Sequence, residues 1–480
     1  MERLTIPYAR LDPGNDVARA YLCEPERALA LFARDYRDPA ALESMLSSRA
    51  APDLTDGLVE YNRAVGGSVE GAQRLRDGFC VVSGQQVGLL YGPAYTTYKL
   101  FTVQNLARAL ESALNVPVVP VFWVESEDHD WDEVNRFFWK GQRYRVDGDV
   151  VPGTPIADIE IDPGPLLESL RGVLDPAAEA WGLVEPETSV ARWHVRNLAR
   201  LAPDVVYLEP RLLREPMRPL AERIAAAADD IDGALARETG FERRLAPVAG
   251  SYLFDASGPR RRLERGAAVP DAWSTDVVSR VLVQNAALPV LAAVCGPAEI
   301  SYWSQLRALH ERFDIAMPAV VPRDAATLVE AGMVKDAAKL GLDIEEVVRG
   351  VAAPPAAGAS DPVASRLRDL AAEAAGLFTA LEGGSLDLPP NTEKPFRRTV
   401  QRLGDDLEKL AGRLDDARAE AAGAGKRRYE RVLGELRPRD GLQERTHSLF
   451  PYLVRHGPGL AASLRDSFDP YEFGHYLVFL

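Results

Sequence analysis

The sequence predicts a doubly wound α/β core that carries a helical hairpin in its C-terminal third. Two observations predict it. Apolar runs ending on glycine or on clustered polar residues alternate with helix-length segments along residues 79–321. A strict 4,3 spacing of leucine, valine and alanine then runs through residues 363–421 in two stretches. At 480 residues and 46% hydrophobic composition the chain can bury a large core without disulfide or metal staples.

The first strand is FCVVSG, beginning at Phe79, a short apolar run stopped by glycine. A loop rich in Gly and Gln follows, then Pro93 and a helix over Tyr95–Leu114. VPVVPVFWV (116–124) is the second buried strand, so strand, helix and strand form the βαβ unit of a parallel sheet. The alternation recurs with a strand at Val205–Leu208 and a helix around Glu215–Ala228. A strand at Pro289–Val294, a helix from Pro297 to Phe313 and a strand at Ala316–Val321 complete it. Residues 1–74 read as helical and polar, with amphipathic helices at Pro25–Leu31 and Ala40–Leu46 and no visible chemistry. Aromatic residues alternating with Gly and Pro at 137–162 read as a hairpin-rich insertion, and 229–275 as a second, irregular one.

Val363, Leu367, Leu370, Ala374, Leu377 and Leu381 form one apolar seam. Phe396, Val400, Leu403, Leu407, Leu410, Leu414, Ala417 and Ala421 form another. GGSLDLPPN (383–391) breaks between them, so an antiparallel hairpin is expected, with 352–362 as its linker. The boundaries drawn on these grounds are 1–74, 75–136, 137–190, 191–228, 229–275, 276–350, 363–436 and 437–480. The last segment is expected to pack back on the core.

Charge and cysteine content exclude several functions. A net charge of −15 argues against broad nucleic-acid binding and against docking on anionic lipid. Cys23, Cys80 and Cys295 are far apart, which excludes a disulfide framework and disfavours a Cys-rich zinc site. With no apolar leader and no 18-residue apolar run, a cytoplasmic protein with reduced thiols is expected.

Three segments carry candidate chemistry. In SGQQVGLLYGPAYTTYK (83–99), Gly84, Gly88 and Gly92 permit close backbone approach, and Gln85, Gln86 and Tyr95 offer polar groups. Lys99, about two turns into the following helix, is placed to neutralise an anion. In VFWVESEDHDWDEVN (121–135) a buried strand runs into Glu127, Asp128, His129 and Asp130. Carboxylates around one imidazole suit it to general acid–base work, or to contact with a phosphate carrying magnesium, while no permanent metal is expected. In CGPAEISYWSQLRALH (295–310), Glu299 is placed to receive an amine or hydroxyl, and Tyr302 and Gln305 share its helix face. Trp303 reads as core, Cys295 as a structural thiol and His310 as a surface residue. Each segment leaves or follows the carboxyl end of a strand, where parallel α/β sheets bind ligands. The basic runs Arg260–Arg262 and Lys426–Arg428 read as solvated faces.

Taken together and in this order, these segments resemble the cysteine ligases of bacillithiol biosynthesis, the BshC family. STDVVSRVLVQN (274–285), which retains Arg280 and Gln284, and the near-terminal LQERTHSLFPYLVRHG (442–457) extend the resemblance over most of the chain. Thr275, Val281 and Asn285 depart from the family's pattern. The resemblance implies a Rossmann-like core related to class I aminoacyl-tRNA synthetases, with connecting-peptide insertions and a coiled-coil hairpin that makes a homodimer. It implies a ligase joining L-cysteine to the amino group of glucosaminyl-malate, with ATP the natural reagent for an activated cysteinyl intermediate. By motif it carries catalysis to Lys99, Asp128, His129 and Asp130. Binding falls to Gly84, Gln85, Gln86, Gly88, Gly92, Tyr95, Glu127, Arg280, Glu299, Tyr302 and Gln305. The alternative class is a non-catalytic nucleotide-binding or coiled-coil interaction protein, which would not need polar clusters at three strand ends.

Overall fold

A run such as Phe79-Cys80-Val81-Val82 has no polar face, so it is stable only where both sides of the strand are covered. The computed structural model places it at the centre of a five-stranded, all-parallel sheet. The structure describes residues 1–47, 52–354, 362–382, 388–389 and 392–480. Most of the expected break at 383–391, most of the linker at 352–362 and the side chain of Ala421 lie outside these residues.

The sheet strands are β1 (Phe79–Gln86), β2 (Val118–Glu125), β3 (Val206–Leu208), β4 (Val290–Cys295) and β5 (Ala319–Pro322). Their order across the sheet is β3-β2-β1-β4-β5. This is the Rossmann order, and it reverses direction between β1 and β4. Such a switch point opens a crevice at the carboxyl ends of the two strands. The helix Ala94–Leu114 connects β1 to β2 and ends on Asn115 in the left-handed region, φ 53°. It is buried along most of its length and packs on β1 and β2. Val81, Val119, Val121 and Trp123 are fully buried beside it. At about 1.5–3 kcal/mol for each large apolar side chain, this burial is the main stabilising contribution of the layer.

Two features differ from the sequence expectation. The N-terminal segment is not wholly helical: Glu2–Pro7 is a strand antiparallel to Gly474–Phe479, which in turn runs parallel to Ala325–Val329. The segment 297–313 is not one helix. Pro297–Trp303 and Arg307–Phe313 are separate, with Ser304–Leu306 between them. Arg136–Trp139 and Gln142–Arg145 form the hairpin expected near 137, with Lys140 and Gly141 both at positive φ, the backbone a tight hairpin turn requires. Within 229–275, Arg261–Arg262, Leu253–Asp255 and Trp273–Thr275 make a small antiparallel sheet.

The chain divides into two compact units, Met1–Ala331 with Leu436–Leu480, and Gly332–Glu435. The second contains the helices Pro362–Glu382 and, except for its last residue, Glu393–Leu436. Arg397 stacks over Phe378 at 5.8 Å, and Arg368 lies 3.8 Å from Glu408. One helix therefore advances as the other retreats, which makes the pair antiparallel. Their expected seams are split. Ala374 and Val400 are buried, and Leu367, Leu407 and Leu414 are partly so, with Ala364, Ala371 and Ala411 completing the contact. Val363, Leu370, Leu377, Leu403 and Leu410 instead face outward, seven residues apart on each helix. The seam keeps the 3,4 spacing, but one of its rows is Ala364, Ala371 and Ala411, the small residues one position after Val363, Leu370 and Leu410, so the contact face is turned from the expected one. No helix among the described residues is long and apolar enough to cross a membrane.

Candidate functional site

A cavity of about 690 Å³ opens at the switch point, within the range of small-molecule sites. Its walls are the ends of β1, β2 and β4, the starts of the helices that follow β1 and β4, and the small sheet of residues 253–275. Of the candidate residues, Gly84, Gln85, Gln86, Tyr95, Lys99, Asp128, Arg280, Glu299 and Tyr302 line it together.

Lys99 is the hub of the floor. It is 2% exposed, and its ammonium donates to the Gly84 carbonyl (2.8 Å) and to Gln85 Oε1 (3.0 Å). It also lies 2.5 Å from Glu299 Oε2. Its three donors are thus all engaged within the protein. Burial lowers its pKa, opposed by Glu299. Glu299 Oε2 in turn accepts from the Gly296 amide (2.7 Å), closing the first turn of its helix. Gly84 sits in a tight place: a Cβ would stand 3.2 Å from Trp123 Cβ and 3.4 Å from the Arg280 guanidinium.

Arg280 donates to Tyr302 Oη (2.9 Å) and to Gln284 Oε1 (3.0 Å), both neutral groups. Burial works against its charge, but Tyr302, Glu125 and Glu299 outweigh that and hold it above the usual arginine range. Glu125, at the end of β2, accepts from the Trp123 indole at 2.9 Å. Burial raises its carboxyl pKa, with Arg280 opposing.

Asp128 accepts from Gln86 Nε2 and lies 3.8 Å from Arg260. His129 is not a lining residue; its ring is 43% exposed, 3.6 Å from Asp128 and 3.3 Å from the Arg260 guanidinium, at the cavity's edge. Five further candidates lie outside the cavity. Asp130 is exposed and caps the helix Trp131–Val134. Glu127 is buried against Arg214 and Arg211, and burial raises its pKa to about 7. Gly88 and Gly92 pack on each other: a Cβ on Gly88 would lie 2.8 Å from Gly92 Cα. Gln305, on the break between the two helices, accepts from the Arg244 and Leu245 amides at 2.9 Å each and so pins a stretch of the cavity wall.

At the N-terminus of the 94–114 helix the Ala94 amide donates to the His447 carbonyl at 2.7 Å and the Thr96 amide to the Pro93 carbonyl at 2.9 Å, so neither is free for an anion. Further positive charge comes from arginines that the sequence did not single out. Arg260 and Arg262 are not a solvated face. They flank exposed Arg261, stack over Phe254 at 4.0 and 4.5 Å, and line the cavity. The every-other-residue period of a strand was the signal that could have found them. Arg323 follows β5, lies over Tyr95 at 5.5 Å and pairs with Glu444 at 2.5 Å. His310 is also corrected: it is 1% exposed, and Asn285 Nδ2 donates to its ring at 2.9 Å. Cys295 is buried, and burial pushes its thiol well above the ordinary range.

Among the described residues the cavity is lined by Lys99, Arg244, Arg260, Arg262, Arg280, Arg323 and Arg445 against Glu125, Asp128, Asp276 and Glu299. A chain of net charge −15 thus has a net positive pocket, which concentrates anionic ligands.

A family model described as "Bacillithiol biosynthesis BshC, N-terminal Rossmann-like domain" matches residues 1–184 and 262–324. Another, "Bacillithiol biosynthesis BshC, C-terminal coiled-coil domain", matches 326–480. Proteins named "Putative cysteine ligase BshC" are similar over nearly the full length. That of Symbiobacterium thermophilum is 30% identical, with 99% of each chain covered. That of Geobacillus kaustophilus is 29% identical over 89% of this chain and 90% of its own. That of Exiguobacterium sibiricum is 27% identical over 90% and 91%.

Proposed function

The chain belongs to the BshC family of bacillithiol biosynthesis and is a ligase, and on that premise we propose that it joins L-cysteine to the amino group of glucosaminyl-malate. The observation that carries this reading is the excess of cations around one cavity at the switch point. Glucosaminyl-malate brings two carboxylates and an amine. The arginines suit the first, and the acids Glu125 and Glu299 suit the second. Glu299 Oε2 is taken by Lys99 and the Gly296 amide, while its other oxygen has no protein partner among the described residues.

Amide formation from a free carboxylate needs an activated acyl group. The proposed reagent is ATP with magnesium carried on its phosphates. The cysteine carboxylate attacks the α-phosphorus and releases pyrophosphate. The sugar amine then attacks the acyl carbon, a C–N bond forms and AMP leaves. The amine must shed a proton as it attacks. A carboxylate whose pKa is raised by burial is a stronger base than an exposed one, which supports Glu125 as the acceptor. Asp128 and His129, beside Arg260 at the edge, supply a second acid–base pair. Lys99 acts by fixing Glu299 and the end of β1.

The outward rows of Val363, Leu370 and Leu377 and of Leu403 and Leu410 support a homodimer through the hairpin. The reaction is tested by incubating the purified protein with L-cysteine, glucosaminyl-malate and ATP-magnesium, then following the thiol product, AMP and pyrophosphate by mass spectrometry. Product with AMP and pyrophosphate supports the full scheme. Product with ADP and phosphate would replace the adenylate by an acyl phosphate. No product from folded protein would defeat the substrate assignment.

A further inference from the structure

The segment Gln443–Arg445 belongs to the C-terminal motif, outside the three candidate segments. It is a single tight turn, and its first two side chains are buried polar groups that are fully bonded. Gln443 Oε1 accepts from the Leu328 amide (2.8 Å), and its Nε2 donates to the Leu328 carbonyl (3.0 Å). Glu444 is 0% exposed; it accepts from the Ala326 amide (2.9 Å) and pairs with Arg323 (2.5 Å). Two adjacent buried polar side chains thus bolt one turn to the strand Ala325–Val329. A buried carboxylate is tolerated only when paired in this way.

What the bolt holds out is Arg445. It is exposed and lines the cavity on the side of Arg323 and Tyr95. The other six basic lining groups each have a protein partner: Lys99 with Glu299, Arg244 with Glu242, Arg260 with Asp128, Arg262 with Asp276, Arg323 with Glu444, and Arg280 with Tyr302 and Gln284. Among the described residues Arg445 has neither an ion pair nor a side-chain hydrogen bond. A free guanidinium on an immobilised turn loses little backbone freedom when it binds, and its planar fork matches carboxylate and phosphate oxygens.

The geometry points to Arg445 as an anion-recognition residue of the cavity, held in place by Gln443 and Glu444, that takes a carboxylate or phosphate oxygen of the substrate. This rests on the cavity being the ligase site, and it adds a specificity group that the three candidate segments did not contain.

The test uses the full-length protein and two probes, L-malate for the dicarboxylate and inorganic pyrophosphate for the nucleotide phosphates. Calorimetric titration compares the wild type with Arg445→Met and Arg445→Lys. Arg445→Met should weaken one probe by roughly 10- to 100-fold, the range of one charge-assisted hydrogen bond, and leave the other within twofold. The probe that responds identifies the source of the anion, and Arg445→Lys should recover part of the affinity. The matching KM, for glucosaminyl-malate or for ATP, should rise in parallel. Thermal midpoints should agree, because the side chain is exposed. Equal binding of both probes by Arg445→Met and wild type, or no binding of either by wild type at millimolar concentration, overturns the assignment. These readouts need no turnover: probe binding through Arg445 without amide formation would sink the reaction and leave the anion site standing.

Discussion

Lys99 and Glu299 meet at 2.5 Å across the point where the sheet order reverses, tying the helix after β1 to the helix after β4. The Lys99 side chain is 3% exposed and that of Glu299 20%. Breaking such a pair strands one charge in a poorly solvated place. Lys99→Met should therefore lower the unfolding free energy by about 2–4 kcal/mol, below the full value for a deeply buried pair because Glu299 keeps some water. Lys99→Met combined with Glu299→Gln should recover part of that loss. Denaturant titration checks both. A loss under about 0.5 kcal/mol for Lys99→Met would mean that the clamp is not holding the junction.

Each histidine that the fold holds neutral should make the protein less stable as pH falls. Burial lowers the pKa of His194, His310, His447 and His475 to about 4. Their unfolded values lie near 6.5, so between pH 6.5 and 4 the unfolded chain binds more protons and stability falls as pH falls. Glu127 and Asp324, raised to about 7 by burial, act in the opposite sense, as do Glu125 and Asp276, which burial also raises. The contribution of one imidazole is therefore read by replacing it alone. Replacing one, as in His310→Gln, should shrink the difference in unfolding free energy between pH 7.5 and 5 by about 2 kcal/mol. An unchanged difference would mean that His310 is not held neutral by the fold.

His129→Ala should reduce turnover on the order of 10²- to 10⁴-fold while the thermal midpoint stays within a degree or two, since the ring is partly exposed. Steady-state kinetics on the purified variant decides it. Turnover within tenfold of wild type would take the imidazole out of the mechanism and leave Glu125 as the base.

Exposed leucines on the hairpin give a fourth expectation. Leu370→Glu with Leu403→Glu should shift the protein from dimer to monomer by light scattering, without loss of helical signal, because neither side chain is in the seam between the two helices. A wild type that is already monomeric at micromolar concentration would defeat the dimer.

How far the sequence disclosed this molecule depended on whether a residue's neighbours lie close along the chain. β1 and β2 were legible because strands covered on both faces must be apolar throughout, as in Phe79–Val82 and Val118–Val124. Glu2–Pro7 was not, because Arg3, Thr5 and Pro7 break the apolar run and its partner lies at the other end of the chain. The switch point was implied by three polar clusters at strand ends. The arginines were missed because charge alone does not say whether a side chain points outward, and Arg260 turns inward onto Phe254. His310 was misread for the same reason: its partner Asn285 sits on a different helix. The split of the heptad rows is a matter of packing between helices, which spacing along one helix cannot reveal.

The pairing of Glu2–Pro7 with Gly474–Phe479 sets the order in which the molecule can be completed during synthesis. The strand Glu2–Pro7 must wait, its edge unpaired, until residues 474–479 have been made. Domains form from the N-terminus as they emerge, but this sheet cannot, because loop closure over so many residues comes last. Chains cut short between residues 322 and 474 will hold a switch-point sheet and an orphaned strand at residues 2–7, and should be the species on which chaperones and proteases act.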